Sequence, residues 1–119
     1  MAYQQPLTDI ETLTVGEKRL YRFDNHKPVL VYRLTDGFYA TDARCTHLFK
    51  SMAKGTIEND KTIRCPLHRA EFDIRTGQVT QWACFPPGIV QAINTVRHEK
   101  PLSCYPISEK NGEYFITLH

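Results

Sequence analysis

A chain of 119 residues, 41% hydrophobic and 24% charged, is of one-domain size and can bury a modest core without disulfides. Fifteen basic against thirteen acidic residues leave a formal net charge of +2, which argues against nucleic acid or an anionic membrane as partner and leaves any electrostatic steering local. The amino-terminal MAYQQPLTDIETL has neither a basic nor an apolar stretch, and nowhere do roughly 18 apolar residues run together, so the expectation is a soluble, cytoplasmic protein.

Short-period signals dominate from the start of the chain. Arg19–Phe23 alternates polar and apolar residues, and Val29–Arg33 is β-branched and aromatic-rich. Asp36-Gly37 suits a type I′ hairpin turn into a third strand, Phe38–Thr41. Cys45-Thr46-His47 follows. Thr62–Arg64 reads as a strand leading into Cys65-Pro66-Leu67-His68, Glu71–Ile74 alternates again, and Thr76-Gly77 turns the chain into Gln78–Thr80. Residues 84–101 interrupt this pattern: Pro86-Pro87-Gly88 reads as a loop, and Ile89, Ile93 and Val96 have the spacing of one short helix or an irregular cover. Asn111-Gly112 marks a last hairpin between Tyr105–Ser108 and Tyr114–Leu118. No repeat or low-complexity tract is present. Many short strands joined by Gly and Pro turns predict an all-β fold, an antiparallel β-sandwich or barrel, with both Cys/His runs on loops at strand ends.

Together those two runs read C-x-H-x17-C-x2-H. Thiolates are soft ligands and imidazoles borderline ones, so two of each can divide a [2Fe–2S] rhomb unequally, Cys on one iron and His on the other. Zinc also accepts two Cys and two His, but its structural sites pair Cys with Cys and His with His at short spacing. Four unconnected residues would be the plainest alternative, yet two mixed pairs in a chain with four Cys and five His speak against coincidence. A Cys–His hydrolase lacks a third orienting group at a recognisable spacing, and neither Cys sits in a nucleophile motif.

The segment CTHLFKSMAKGTIENDKTIRCPLHRAEFDIRTGQV, Cys45 to Val79, resembles the cluster-binding part of the Rieske family, above all the small Rieske ferredoxins of bacterial oxygenase systems. The resemblance implies one [2Fe–2S] cluster, with Cys45 and Cys65 on the inner iron and His47 and His68 on the outer iron through ring Nδ1. It implies a single domain over 1–119, a cluster-binding subdomain at about 43–82 set on a β-sandwich base, and an insertion at about 84–101 that departs from the family pattern. Such a protein passes single electrons from a flavin- or NAD(P)H-dependent reductase to a terminal oxygenase by transient docking, and has no catalytic residue of its own. A small or accessory subunit of a reductase, such as a nitrite reductase, shares the fold and is the alternative. A terminal oxygenase would need a second, large domain with mononuclear iron.

High-potential members of the family carry an extra Cys on each ligand loop and hydroxyl donors near the cluster sulfurs. By the resemblance those positions are here Lys50, Leu67, Ala70 and Phe72, none of which can staple the loops or donate from its side chain to sulfur. The expected potential is therefore low in the Rieske range, near about −150 mV rather than about +300 mV. Phe49 and Trp82–Phe85 are candidates for a weak apolar docking patch, or else packed aromatics. Cys84 and Cys104 read as small buried thiols in a reducing compartment, Pro66 as a turn proline that fixes one dihedral, and His26 and His98 as surface histidines.

Overall fold

In the computed structural model the described residues are 3–44, 51–66, 70–81 and 101–119. The expected insertion at 84–101 lies outside them apart from Pro101. Eleven strands follow one another among the described residues: β1 Tyr3–Pro6, β2 Lys18–Tyr21, β3 Val29–Leu34, β4 Gly37–Asp42, β5 Thr56–Glu58, β6 Thr62–Arg64, β7 Glu71–Asp73, β8 Val79–Gln81, β9 Cys104–Tyr105, β10 Ile107–Lys110 and β11 Glu113–Leu118. One 3-10 turn, Ile10–Thr12, is the helical element among the described residues. All pairings are antiparallel and form three sheets, ordered β1-β11-β10, β2-β3-β4-β9 and β5-β6-β7-β8.

The sequence of β3, VLVYRL, explains the layering. Side chains alternate across a strand, so Val29 and Val31 face one way and Leu30, Tyr32 and Leu34 the other. All five are fully buried. The first pair joins Leu7, Ile10, Leu13, Ala40, Tyr105, Ile116 and Leu118 in a core under the β1-β11-β10 sheet. The second set joins Ala43, Met52, Ile63, Cys65, Ala70, Phe72, Ile74 and Leu102 in a core under the β5-β6-β7-β8 sheet. A strand apolar on both faces thus becomes the shared middle of two cores. The Tyr32 hydroxyl, buried with it, is satisfied by the Thr41 hydroxyl at 2.7 Å.

The Asn111-Gly112 turn forms as expected, with φ of 55° and 81° between the paired residues Lys110 and Glu113. The β3–β4 turn differs. Leu34 pairs with Gly37, so the two turn residues are Thr35 and Asp36 rather than Asp36 and Gly37, and neither has positive φ. Side-chain bonds hold this turn instead: Asp60 accepts from both the Thr35 backbone N–H at 3.0 Å and its hydroxyl at 2.5 Å. The strand expected over Tyr105–Ser108 is also divided. Pro106 has no N–H to continue a ladder, so β9 ends on β4 while β10 begins a different sheet on β11.

Candidate metal centre

Two short excursions leave the fold at neighbouring points. β4 ends at Asp42, Ala43 is buried, and Arg44 bridges Ser51 while the Met52 N–H donates to the Ala43 carbonyl at 2.7 Å. Arg44 and Ser51, the described residues on either side of 45–50, therefore lie side by side. The second excursion is the tip of the β6–β7 hairpin: beyond the Arg64/Glu71 pair, the Cys65 N–H donates to the Ala70 carbonyl at 2.7 Å.

The stems of both excursions share one core, since Ala43 and Met52 from the first pack in the same cluster as Cys65 and Ala70 from the second. Gly55 sets how closely they approach. A Cβ on Gly55 would lie 2.3 Å from the carbonyl oxygen of Arg64, the residue before Cys65, which no real side chain tolerates. Gly77 plays a similar part lower down, with φ of 78° and a carbonyl that accepts the Leu102 N–H at 2.8 Å.

Cys65 is fully buried and in no disulfide, at the mouth where both stems meet. Cys45, His47 and His68 lie outside the described residues, as do Phe49, Lys50, Leu67, Trp82, Cys84, Phe85 and His98. Among the described residues no group of three or more His, Cys, Asp or Glu side chains is placed to hold a metal ion. A buried thiol sulfur on a rigid strand end, beside a second loop whose sequence supplies a Cys and a His, is a donor set that fits a two-iron, two-sulfide cluster. Ala70 and Phe72 are both fully buried in the core that holds Cys65. Neither offers a hydroxyl.

Charged groups brace this end. Arg64 reaches Glu71 at 3.0 Å and Glu58 at 3.9 Å, and the Thr62 hydroxyl donates to Glu71 at 3.1 Å. At the opposite end of the same sheet, Arg75 donates to Asp36 at 2.7 Å and to the Asp60 carbonyl at 2.8 Å, with its guanidinium 5.1 Å from the Tyr39 ring centroid. The Arg75 hydrogen bond holds the Asp36 carboxyl below its usual range, and the Thr35 hydrogen bonds do the same for Asp60. Arg75 thereby ties the β3–β4 turn of the base to the ligand-bearing sheet.

Two smaller expectations need correction. Cys104 is half-buried rather than fully buried, and that burial pushes its thiol upward, away from the reactive thiolate. His26 is half-buried too, its ring edge-on to Tyr105 at 5.4 Å and its Nδ1 2.7 Å from the Lys27 carbonyl oxygen, because Tyr105 anchors that corner through a 2.5 Å bond to Asp42. The sequence reading missed Gly55, Gly77, the Arg64–Glu71 pair and the Arg75 clamp. A Thr/Arg strand followed by Glu at a hairpin position could have suggested the cross-strand pair. Nothing local marked the others.

Residues 4–106 match the Rieske [2Fe-2S] domain. The chain is 33% identical over 116 residues to the 3-phenylpropionate/cinnamic acid dioxygenase ferredoxin subunit of Shigella flexneri, covering 98% of this chain and 92% of that protein. Its fold matches a chain in a complex of reduced oxygenase and oxidised ferredoxin in carbazole 1,9a-dioxygenase, with TM-score 0.75, 26% identity, and coverage of 95% and 91%. It also matches a putative NADH-dependent nitrite reductase small subunit from Mycobacterium tuberculosis, with TM-score 0.73 and coverage of 100% and 97%; at 14% identity the likeness is one of fold alone.

Proposed function

Because the chain belongs to the Rieske [2Fe-2S] domain family, an electron carrier rather than an enzyme, we propose that Cys45, His47, Cys65 and His68 hold one [2Fe–2S] cluster in the ferredoxin component of an oxygenase system. When bound, the cluster supplies a one-electron couple. The chain's own residues do the rest. The two hydrogen-bonded stems would hold the thiolates and imidazoles in place, and the core around Cys65, Ala70 and Phe72 would keep water from the inner side. The observation that carries this reading is the position of Cys65: buried, in no disulfide, at the one place where the stems of both motif loops share a core.

The partners proposed are a flavin- or NAD(P)H-dependent reductase and a terminal oxygenase, in keeping with the systems named for the relatives. The whole chain would be one domain, with the cluster-binding subdomain at about 43–82 and the segment at about 84–101 as an added cover. No described helix is long and apolar enough to cross a membrane, which agrees with a cytoplasmic carrier. The residue types at Lys50, Leu67, Ala70 and Phe72, none a thiol or a hydroxyl donor, support a potential low in the Rieske range.

Electron paramagnetic resonance of the dithionite-reduced protein, with iron and acid-labile sulfide analysis, tests the assignment. The expected result is two irons and two sulfides per chain and the low average g value of mixed Cys/His ligation, lost in Cys65→Ser. An all-Cys spectrum, or zinc in place of iron, would overturn it.

A further inference from the structure

On the reading just given, electrons leave at the end of the fold where the two motif loops open, and the charge there is not that of the chain as a whole. Residues 43–82 hold seven basic and four acidic residues, against eight and nine elsewhere. All four of those acids are engaged inside the segment. Glu58 and Glu71 lie on Arg64, Asp60 on Arg75, and Asp73 accepts the backbone N–H groups of Arg75 and Thr76.

Arg44 and Lys54 are different. Both are exposed, and neither has an ion-pair partner among the described residues. Arg44 immediately precedes Cys45 and bridges Ser51 across the mouth of the first loop. Lys54 precedes Gly55, which lies against the carbonyl of Arg64, next to Cys65. The loop sequences 45–50 and 67–69, CTHLFK and LHR, contribute Lys50 and Arg69 and no acid, and residues 82–100 contribute Arg97 and Lys100 against one acid, Glu99.

We infer that Arg44 and Lys54 form a cationic rim beside the electron exit, and that it docks an acidic protein surface on the redox partner. Charges within about 10 Å act on a docking group at 0.1 M salt, and local charge of this kind changes association rates by about 10- to 1000-fold. Lys61 supplies an internal control. It too is exposed and has no ion pair among the described residues, but it sits in the β5–β6 turn, four residues from Cys65, or about 13 Å along a strand rising about 3.3 Å per residue.

The test uses the reduced holoprotein with two small oxidants, ferricyanide and tris(phenanthroline)cobalt(III). In each case one electron passes to the Fe(III) or Co(III) of the oxidant, with no bond or proton exchanged. The ferricyanide rate should fall as salt is added and the cobalt rate should rise. Arg44→Glu and Lys54→Glu should each slow ferricyanide at about 0.1 M salt, and together by at least about tenfold, whereas Lys61→Glu, with the same change in net charge, should have the smallest effect of the three. As a second readout, the oxidised protein should be retained on immobilised polyglutamate, and the first two variants should lose that retention while Lys61→Glu keeps it.

Equal effects of all three variants, or rates indifferent to salt, would overturn the inference. So would binding to phosphatidylserine vesicles without retention on polyglutamate, which would make the face a lipid surface. A preparation without iron and sulfide would fail the ligand assignment instead, and polyglutamate retention would still decide the rim.

Discussion

The β1-β11-β10 sheet and the β5-β6-β7-β8 sheet pack on opposite faces of the same central sheet, and they are held there by different means. The first has strands of four to six residues, a type I′ turn at Asn111-Gly112, and an underlying core built from Leu7, Ile10, Leu13, Ile116 and Leu118. The second has four strands of three residues each. Strands so short form few ladder bonds and give little stability by themselves. Ile63, Phe72 and Ile74 anchor the sheet below, the Arg64–Glu71 pair and the Asp73 turn brace it within, and Arg75 clips it to the base. The region that carries the two motif segments has no long strands among the described residues. Polar staples and one shared core take their place.

That contrast can be broken most severely at Phe72. Phe72→Ala should cost about 3–5 kcal/mol and Ile116→Ala, under the other sheet, about 2–5 kcal/mol. The two should differ in kind. In urea, Phe72→Ala should lose visible absorbance before far-ultraviolet β signal, whereas Ile116→Ala should lose both together; coincident transitions in Phe72→Ala would show the two regions to be one cooperative unit.

A smaller effect is expected from the clip. The Asp36 and Asp60 carboxyls are held below their ordinary value of 3.8 in the folded chain. A depressed carboxyl stabilises the fold above its unfolded value, and that contribution disappears as pH falls through the folded value. The urea midpoint should therefore drop as pH falls below about 4, and less steeply in Arg75→Gln, with added salt narrowing the difference because these groups are exposed. Acid loss of a bound cluster is common to both proteins, so the difference in slope reads the carboxylates. Identical slopes would remove Arg75 from the account.

The finest distinction lies in the redox potential. Film voltammetry should give a midpoint of about −150 mV, and Ala70→Ser, which puts a hydroxyl at the base of the second loop, should move it upward, with a lower urea midpoint because Ala70 is fully buried. A wild-type midpoint well above zero would show that donors other than these side chains tune the centre.

The base was partly legible in the sequence because a strand such as Tyr114–Leu118 carries the period of two that burial on one face imposes, with Ile116 and Leu118 buried in the same core. β3 was legible for the opposite reason, being apolar throughout. β1 was not, since Tyr-Gln-Gln-Pro is mostly exposed where it pairs with β11 and so carries no apolar alternation. β5, three residues long, is too short to show a period. The ligand motif could be read because metal chemistry restricts residue type and spacing together. The groups that position it could not. Arg75 meets Asp36 across 39 residues and Asp60 across 15, and such distant pairs leave no local trace.

Gly55 has one further consequence. Its missing side chain lets the return of the first loop rest directly on the backbone of Arg64, so the spacing between the two ligand arms is set by an absence. Any replacement could only push the arms apart, and none could draw them closer. The position is a stop at the end of its range, and adjustment of the gap by substitution runs in one direction alone.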